Sequence, residues 1–284
     1  MRQYSLEGSE NKVAVQGYEG CFHQEAAQHF FGKGVQIICC DTFRDVIKVA
    51  SNRNESTGAV MAIENSIAGS ILPNYNLLLK SNLKIVGEVY MQIRQNLMVT
   101  VGGSLSEIRE VHSHPMALQQ CLKFLDEHEW KLVETEDTAL SAKKLARSRS
   151  PYVGVIASKL AAEIYDLEIA APNIHTMKNN YTRFLILNRA EDAAEIENAD
   201  KASVYFQTDN SKGSLAKVLN KIDEFDINLS KLQSVPIPGS DWKYGFYTDM
   251  EFEDKTHFNS LLKKLKPITQ ELQISGMYKK GKNV

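Results

Sequence analysis

The chain has 284 residues, a formal net charge of −2 and 43% hydrophobic residues. That length accommodates two domains and a sizeable core. The balanced charge argues against a nucleic-acid binder, which needs a basic patch, and no apolar run reaches the ~18 residues of a membrane span. Residues 1–11 are polar, lack a signal peptide's apolar stretch, and are expected to form a loose tail. The four cysteines, Cys21, Cys39, Cys40 and Cys121, have no metal-ligand spacing, so reduced thiols in a cytoplasmic protein are expected. The seven histidines form no HExxH array, so no metal or other cofactor is expected.

In chain order, Lys12–Gln16 predicts a strand that runs into Gly17-Tyr18-Glu19-Gly20 and then a helix over Phe22–Phe31. A strand, a glycine turn and a helix start make a natural anion site, because the first helical N–H groups point at the turn. Glycines making a tight turn explain the same spacing, and the turn lacks the GxGxxG fingerprint of a nucleotide site. Val35–Cys40 predicts a strand, and Thr42–Ala50 a helix capped by Asp41 or Thr42. Gly58–Ile63 is a continuous apolar run, hence a buried strand. It ends at Glu64-Asn65-Ser66, where an α/β sheet keeps its ligands; Asn65 and Ser66 can donate hydrogen bonds to an anion. Gly69-Ser70 then leads to a helix, Leu83–Arg94 is extended, and Asn96–Val101 is a strand. A short strand ends at Val111-His112, after which Ser113 is expected to cap a helix running to about Asp126, with Pro115 in its first turn. Ser113 is the expected anion contact there, and His114 suits either a ligand contact or a packed loop histidine. Lys131–Val133 is a strand, Asp137 or Thr138 caps a helix over Ala139–Ala146, and Tyr152–Ile156 is a strand leading into the helix Ser158–Ile164.

Asn179–Phe184, NNYTRF, concentrates the chemistry. Tyr181–Leu187 is rich in strand formers. Thr182 brings a hydroxyl, Arg183 a guanidinium suited to a planar carboxylate. Strand alternation sends consecutive side chains to opposite faces. The pair can therefore serve one site only where the backbone turns, and a surface arginine beside a strand threonine is the alternative. Residues 190–200 are acidic and read as a linker. Beyond them come strand Ala202–Gln207, turn Asp209–Gly213, helix Ser214–Phe225, strands Asn228–Pro236 and Lys243–Glu251, helix Thr256–Leu265 and strand Ile268–Met277. That βαββαβ order is ferredoxin-like.

Five blocks in order, GYEGCF (17–22), IENSIAG (63–69), SHPMALQQC (113–121), TALSA (138–142) and NYTRF (180–184), resemble the prephenate dehydratase family, and the C-terminal unit resembles an ACT domain. The resemblance implies an α/β fold. Its catalytic domain, residues 12–190, would have two α/β lobes like those of periplasmic binding proteins, followed by a linker at 191–200 and an ACT regulatory domain at 201–284. It implies decarboxylative dehydration of prephenate to phenylpyruvate, with Thr182, Arg183 and Phe184 catalytic and Asn65, Ser66, Ser113, Thr138 and Asn180 binding substrate. Arg183 would hold the retained pyruvyl carboxylate, and Thr182 would help the hydroxyl leave. The departing carboxylate would sit in weaker contacts at Asn65, Ser66, Ser113 and Phe184. Phenylalanine is the implied effector, at Asn210, Gly213, Ser214, Leu215, Gln233 and Ser234, in a homodimer or homotetramer. Arogenate dehydration and a non-catalytic small-anion binder are the alternatives.

The sequence departs from the family at several points. Cys21 and His23 stand where it has small hydroxyl residues, and Ala62 stands where it has proline. His23 is therefore expected on the helix surface or as a cap. In the C-terminal unit, Gly213-Ser214-Leu215 replaces Gly-Ala-Leu, and Gln233-Ser234-Val235-Pro236 replaces Glu-Ser-Arg-Pro.

Overall fold

The computed structural model describes residues 11–237, 239–240 and 243–284. Residues 1–10 of the expected tail lie outside them. Asn11 is buried, and its carbonyl accepts from the Gln36 N–H at 2.9 Å.

From the N-terminus come β1 (Lys12–Gln16), α1 (Phe22–Phe31), β2 (Gln36–Cys40), α2 (Phe43–Ala50), β3 (Gly58–Asn65) and a two-residue β4 (Gly69–Ser70). Then follow α3 (Leu72–Leu79), β5 (Leu83–Gln92), β6 (Asn96–Thr100), β7 (Glu110–Ser113), α4 (Pro115–Gln120), α5 (Leu122–Leu125) and β8 (Lys131–Glu134). Next are α6 (Thr138–Ser148), β9 (Val153–Ala157), α7 (Lys159–Tyr165), β10 (Leu167–Ala171) and β11 (Tyr181–Arg189). The chain closes with β12 (Lys201–Gln207), α8 (Ser214–Asp223), β13 (Asn228–Pro236), β14 (Tyr244–Glu251), α9 (Lys255–Leu265) and β15 (Glu271–Tyr278).

Thr42 caps α2 by accepting from the Asp45 N–H at 3.2 Å. The helix expected from Ser113 to Asp126 is broken at Cys121 into two short pieces. β10 was not legible in the sequence: it is five residues long and gains its place by antiparallel pairing with β6. Ile268 ends a 3₁₀ turn, so β15 starts three residues later than its apolar run indicates.

Chain contacts divide the molecule into two units. The first gathers the chain up to Ser70, Val89–Phe184 and the last two residues. Its strands belong to two sheets, of order β2-β1-β3-β11-β5, with β4 on β3, and β10-β6-β9-β7-β8; of β5 only Val89–Gln92 and of β11 only Tyr181–Phe184 fall in this unit. β1 pairs in parallel with β2 and β3, and β7 with β8 and β9, as strand-then-helix units require. β3 is buried from Gly58 to Ile63, as its unbroken apolar run predicts.

The second unit gathers Ile71–Glu88 and Leu185–Lys282. Its antiparallel sheet runs β13-β14-β12-β15, the ferredoxin-like order. One face of β12, at Ala202, Val204 and Phe206, packs on Val218 and Ile222 of α8 and on Phe258, Leu261 and Leu265 of α9. On the alternate positions of the same strands, the Tyr247 ring lies 4.9 Å from Tyr205 and 4.8 Å from Tyr75. Tyr247 also donates to the Tyr75 carbonyl at 3.0 Å, and Lys84 donates to that of Ile274 at 2.5 Å. Gly276 permits the approach of β5, since a Cβ there would come within 2.1 Å of the Ile85 carbonyl oxygen. Thus Ile71–Glu88, which the sequence places among the N-terminal strands, clusters with the C-terminal sheet. Among the described residues no helix is long and apolar enough to cross a membrane.

Lys201 and Glu88 form an ion pair at 3.0 Å with almost no exposure on either side chain. Glu88 also accepts from the Gly281 N–H at 3.0 Å. Removing Glu88 takes a buried charge partner from Lys201 and an acceptor from the Gly281 N–H. Glu88→Ala should therefore cost about 3–5 kcal/mol in urea unfolding, and Glu88→Ala with Lys201→Met should recover most of it. A single variant within about 1 kcal/mol of wild type would show that the pair is not holding this unit together.

Candidate active site

Glycine sets how closely the two sheets of the first unit approach. Gly17 and Gly20 have φ of 107° and 87°, left-handed conformations that side chains disfavour. A Cβ on Gly20 would fall 2.7 Å from Ala161 Cα, and one on Gly17 would fall 3.0 Å from Asp137 Oδ2. The turn after β1 therefore rests on the starts of α6 and α7, which belong to the other sheet. Ser158 fastens it: its hydroxyl donates to the Gly20 carbonyl at 2.6 Å and accepts from the Ala161 N–H at 2.9 Å. Tyr165 adds a bond to the Glu19 carbonyl at 2.9 Å.

Asn65, at the end of β3, is the hub on the other side of this junction. Its Oδ1 accepts from the N–H groups of Ile67 and Ala68, both at 2.9 Å. Its Nδ2 faces Asn180 Oδ1 at 2.7 Å, Thr182 Oγ1 at 2.9 Å and the Tyr181 carbonyl at 3.2 Å. Asn180 is fully buried and donates onward to Gln120 Oε1 at 3.0 Å. Ser66 is exposed, but its hydroxyl is engaged: it donates to the Asn179 carbonyl at 3.1 Å and accepts from the Tyr181 N–H at 2.9 Å. Asn65 and Asn180, expected as substrate contacts, spend their polar atoms on the protein and act as supports.

Thr182 is 9% exposed, and its oxygen accepts from Asn65. Among the described residues none accepts its proton in return. Phe184, two residues on and on the same face of β11, is buried, with its ring edge-on to His23 at 5.1 Å. Arg183 corrects an expectation. Thr182 and Arg183 both lie inside β11 rather than at a turn, so they face opposite ways. Arg183 is 4% exposed, with its guanidinium carbon 5.7 Å from the centre of the Tyr90 ring. It is a buried cation behind the strand that carries Thr182.

Ser113 is a second correction. It is fully buried, and its hydroxyl donates to the Ile156 carbonyl at 2.6 Å, so it has no proton for a ligand. As the last residue of β7 its side chain turns into the sheet. The cap of α4 is His114, whose Nδ1 accepts from the Met116 N–H at 3.2 Å. Asp137 caps α6, accepting from the Leu140 N–H at 2.8 Å, and Thr138 opens that helix half-buried.

His23 is a third correction. It lies on the buried face of α1, 8% exposed, where Nε2 accepts from the Ala62 N–H at 3.2 Å. That bond makes Nδ1 the protonated nitrogen of a neutral ring. Burial pushes the imidazole down to about 4. An alanine at 62 supplies the N–H that a proline could not, so the two departures from the family pattern account for each other. Cys21 is equally inert: it is buried, its thiol donates weakly to the Gln16 carbonyl, and burial pushes its ionisation upward. Gln120 was missed in the sequence, because one glutamine in a short helix carries no signal of its own.

In the second unit, Gly213 caps α8 at φ 83° and Asn210 lies in the exposed turn before it. The Ser214 hydroxyl donates to Thr208 Oγ1 at 3.2 Å and to the Asp209 carbonyl at 2.8 Å. Leu215 packs against the helix-side core. Gln233 and Ser234 lie on edge strand β13, opposite Tyr247 and Phe246.

A family profile described as prephenate dehydratase matches residues 13–192. A bifunctional chorismate mutase/prephenate dehydratase from Buchnera aphidicola is 34% identical over 241 residues; the match covers 84% of this chain and 62% of that relative's length. Among solved structures, GqqA, described as a novel type of quorum quenching acylase, superposes with a TM-score of 0.86 at 27% identity, covering 95% of this chain and 98% of its own. A prephenate dehydratase from Arthrobacter aurescens, in complex with L-Phe, superposes with a TM-score of 0.84 at 25% identity, covering 94% of this chain and 90% of its own.

The His23 environment has a consequence in acid. Its folded value, about 4, lies below its ordinary value near 6.5, so the unfolded chain takes up the proton first. This contribution is complete above about pH 6.5 and is lost as pH falls toward 4, amounting to about 3 kcal/mol. Urea unfolding at a series of pH values should show that His23→Ser loses less stability across this window than wild type. Parallel curves for the two proteins would contradict the assignment.

Proposed function

The chain belongs to the prephenate dehydratase family, and we propose that it converts prephenate to phenylpyruvate, as a carbon–oxygen lyase of phenylalanine biosynthesis. The observation that carries this reading is Thr182: a nearly buried hydroxyl whose oxygen receives the Asn65 amide and whose proton no described residue accepts. In the reaction the bond from the ring to its carboxylate breaks and carbon dioxide leaves. The electron pair enters the ring, the ring C–O bond breaks, and the hydroxyl departs with a proton as water. The ring becomes aromatic, so the protein has little to add beyond orientation and that proton. A well-placed proton donor is worth typically ~10²–10⁴-fold. Thr182 is a weak acid, and the Asn65 N–H stabilises its oxygen as the proton moves toward the leaving group; solvent then restores it.

The two carboxylates of the substrate call for different treatment. The ring carboxylate loses its charge, so gripping it would stabilise the ground state. Phe184 and the neutral His23 ring, both buried, place no charge on the Thr182 face of β11. The pyruvyl carboxylate is retained, and Thr138, the first residue of α6 beside the Asp137 cap, offers it a hydroxyl. Arg183 contributes indirectly, packed with Tyr90 behind the strand. An acylase reading has less support: Cys21 stays protonated, and no imidazole or carboxylate among the described residues bonds to Thr182.

The residues 12–190 form the catalytic domain in this reading, with two lobes in the manner of periplasmic binding proteins, and residues 201–284 form an ACT regulatory domain after a linker at 191–200. L-Phenylalanine is its effector, bound near Asn210, Gly213, Ser214 and Leu215 with Gln233 and Ser234. The open edge at β13 offers a pairing surface to a second copy, in a dimer or tetramer.

Turnover of prephenate and of arogenate, which carries an amino group in place of the keto group, tests the substrate directly; prephenate should be the better. Thr182→Ala should lower kcat more than tenfold with KM within roughly threefold, whereas Thr182→Ser should keep most of it. Undiminished kcat in Thr182→Ala would remove the hydroxyl from the mechanism.

A further inference from the structure

The orientation of a carboxamide is ordinarily a choice between two similar atoms. Here it is fixed by the backbone. Ile67 and Ala68 both donate N–H to one atom of Asn65, at 2.9 Å each, so that atom is the oxygen. The Asn65 NH₂ therefore faces the other way, and the Asn180 atom 2.7 Å from it must accept. Asn180 is fully buried, so its NH₂ turns to Gln120, whose facing atom at 3.0 Å must again be an oxygen. The same Gln120 oxygen lies 3.4 Å from Gln95 Nε2. The Gln120 main chain is tied down, its backbone carbonyl accepting from the Thr176 N–H at 2.8 Å. Every hydrogen bond in the row runs one way, from Asn65 through Asn180 to Gln120, and the same Asn65 NH₂ also donates to Thr182.

We infer that Gln120, on α4 of the second sheet, is a positioning residue for Thr182, acting as the terminal acceptor of a one-directional row of amides. The backbone fixes the Asn65 NH₂; the Gln120 oxygen holds Asn180 with its own oxygen on one Asn65 hydrogen, which leaves the other for the Thr182 oxygen, so that the hydroxyl proton points away from the protein. Neither amide can turn over without setting two acceptors, or two donors, against each other. The row also spans the two sheets of the first unit, since Asn65 ends β3 and Gln120 ends α4. The inference concerns the Thr182 chemistry of the function proposed above and rests on it.

Because Gln120 serves only as an acceptor in the row, its replacements should separate by chemistry rather than by size. Gln120→Met fills the space without accepting; prephenate kcat should fall about tenfold or more while KM moves less than about threefold. Gln120→Glu offers a carboxylate oxygen to the same two donors and should retain most of the Met variant's lost kcat. Asn180→Asp keeps the shape but cannot donate to Gln120, so it should fall with Gln120→Met. Equal losses in Gln120→Met and Gln120→Glu, or a loss confined to KM, would overturn the inference. A second readout needs no turnover: in chain labelled with ¹⁵N-asparagine, Gln120→Met should shift the side-chain amide resonances of Asn65 as well as Asn180. If Asn65 does not respond, the row is not coupled and the inference fails, whether or not the wild type consumes prephenate. Wild-type inactivity on prephenate with a responding Asn65 would fault the substrate assignment and uphold the row.

Discussion

Two backbone N–H groups, those of Ile67 and Ala68, decide the direction of everything polar around Thr182. They arise because β3 ends in a turn at Asn65, so the side-chain oxygen takes the bonds that a further strand residue would have had. Once that oxygen is committed, the amide hydrogens must point toward β11. A hydroxyl on the neighbouring strand then receives a donor, and its own proton is left for something outside the protein. The chemical character of the site thus follows from a turn, and no group in it need be charged.

Strand alternation supplies the second constraint. β11 begins at Tyr181, so Thr182 and Phe184 share one face and Arg183 takes the other. That separation puts the buried phenyl of Phe184 and imidazole of His23 on the hydroxyl's side of the strand and the guanidinium on the other. The glycine turn after β1 complements this arrangement, because without side chains at Gly17 and Gly20 the first sheet can press on the helix starts of the second.

Much of this was legible in the sequence. The unbroken apolar run at Gly58–Ile63, the glycine turn, the NNYTRF strand and the βαββαβ order all follow from local pattern, and local pattern is what a single sequence carries. The roles of individual polar residues were less legible, because they depend on neighbours far along the chain. Ser113 has every attribute of a helix cap, yet a carbonyl in β9 claims its hydroxyl. His23 sits where surface exposure was expected, but its ring is claimed by the Ala62 N–H and two phenylalanines. Asn65 and Asn180 stand 115 positions apart and recognise each other only after folding.

The clustering of Ile71–Glu88 with the C-terminal sheet has a bearing on how such a protein can be taken apart. The acidic stretch before Lys201 looks like a natural place for a boundary, and a gene rearrangement that broke there would release the C-terminal sheet alone. The liberated sheet would, however, lose the covering of Tyr75, the lysine that reaches Ile274 and the carboxylate that neutralises Lys201. The unit is discontinuous in the gene, so inheritance of its two halves is bound together, and it can travel to a new host protein only in company with the sheet that Ile71–Glu88 interrupts.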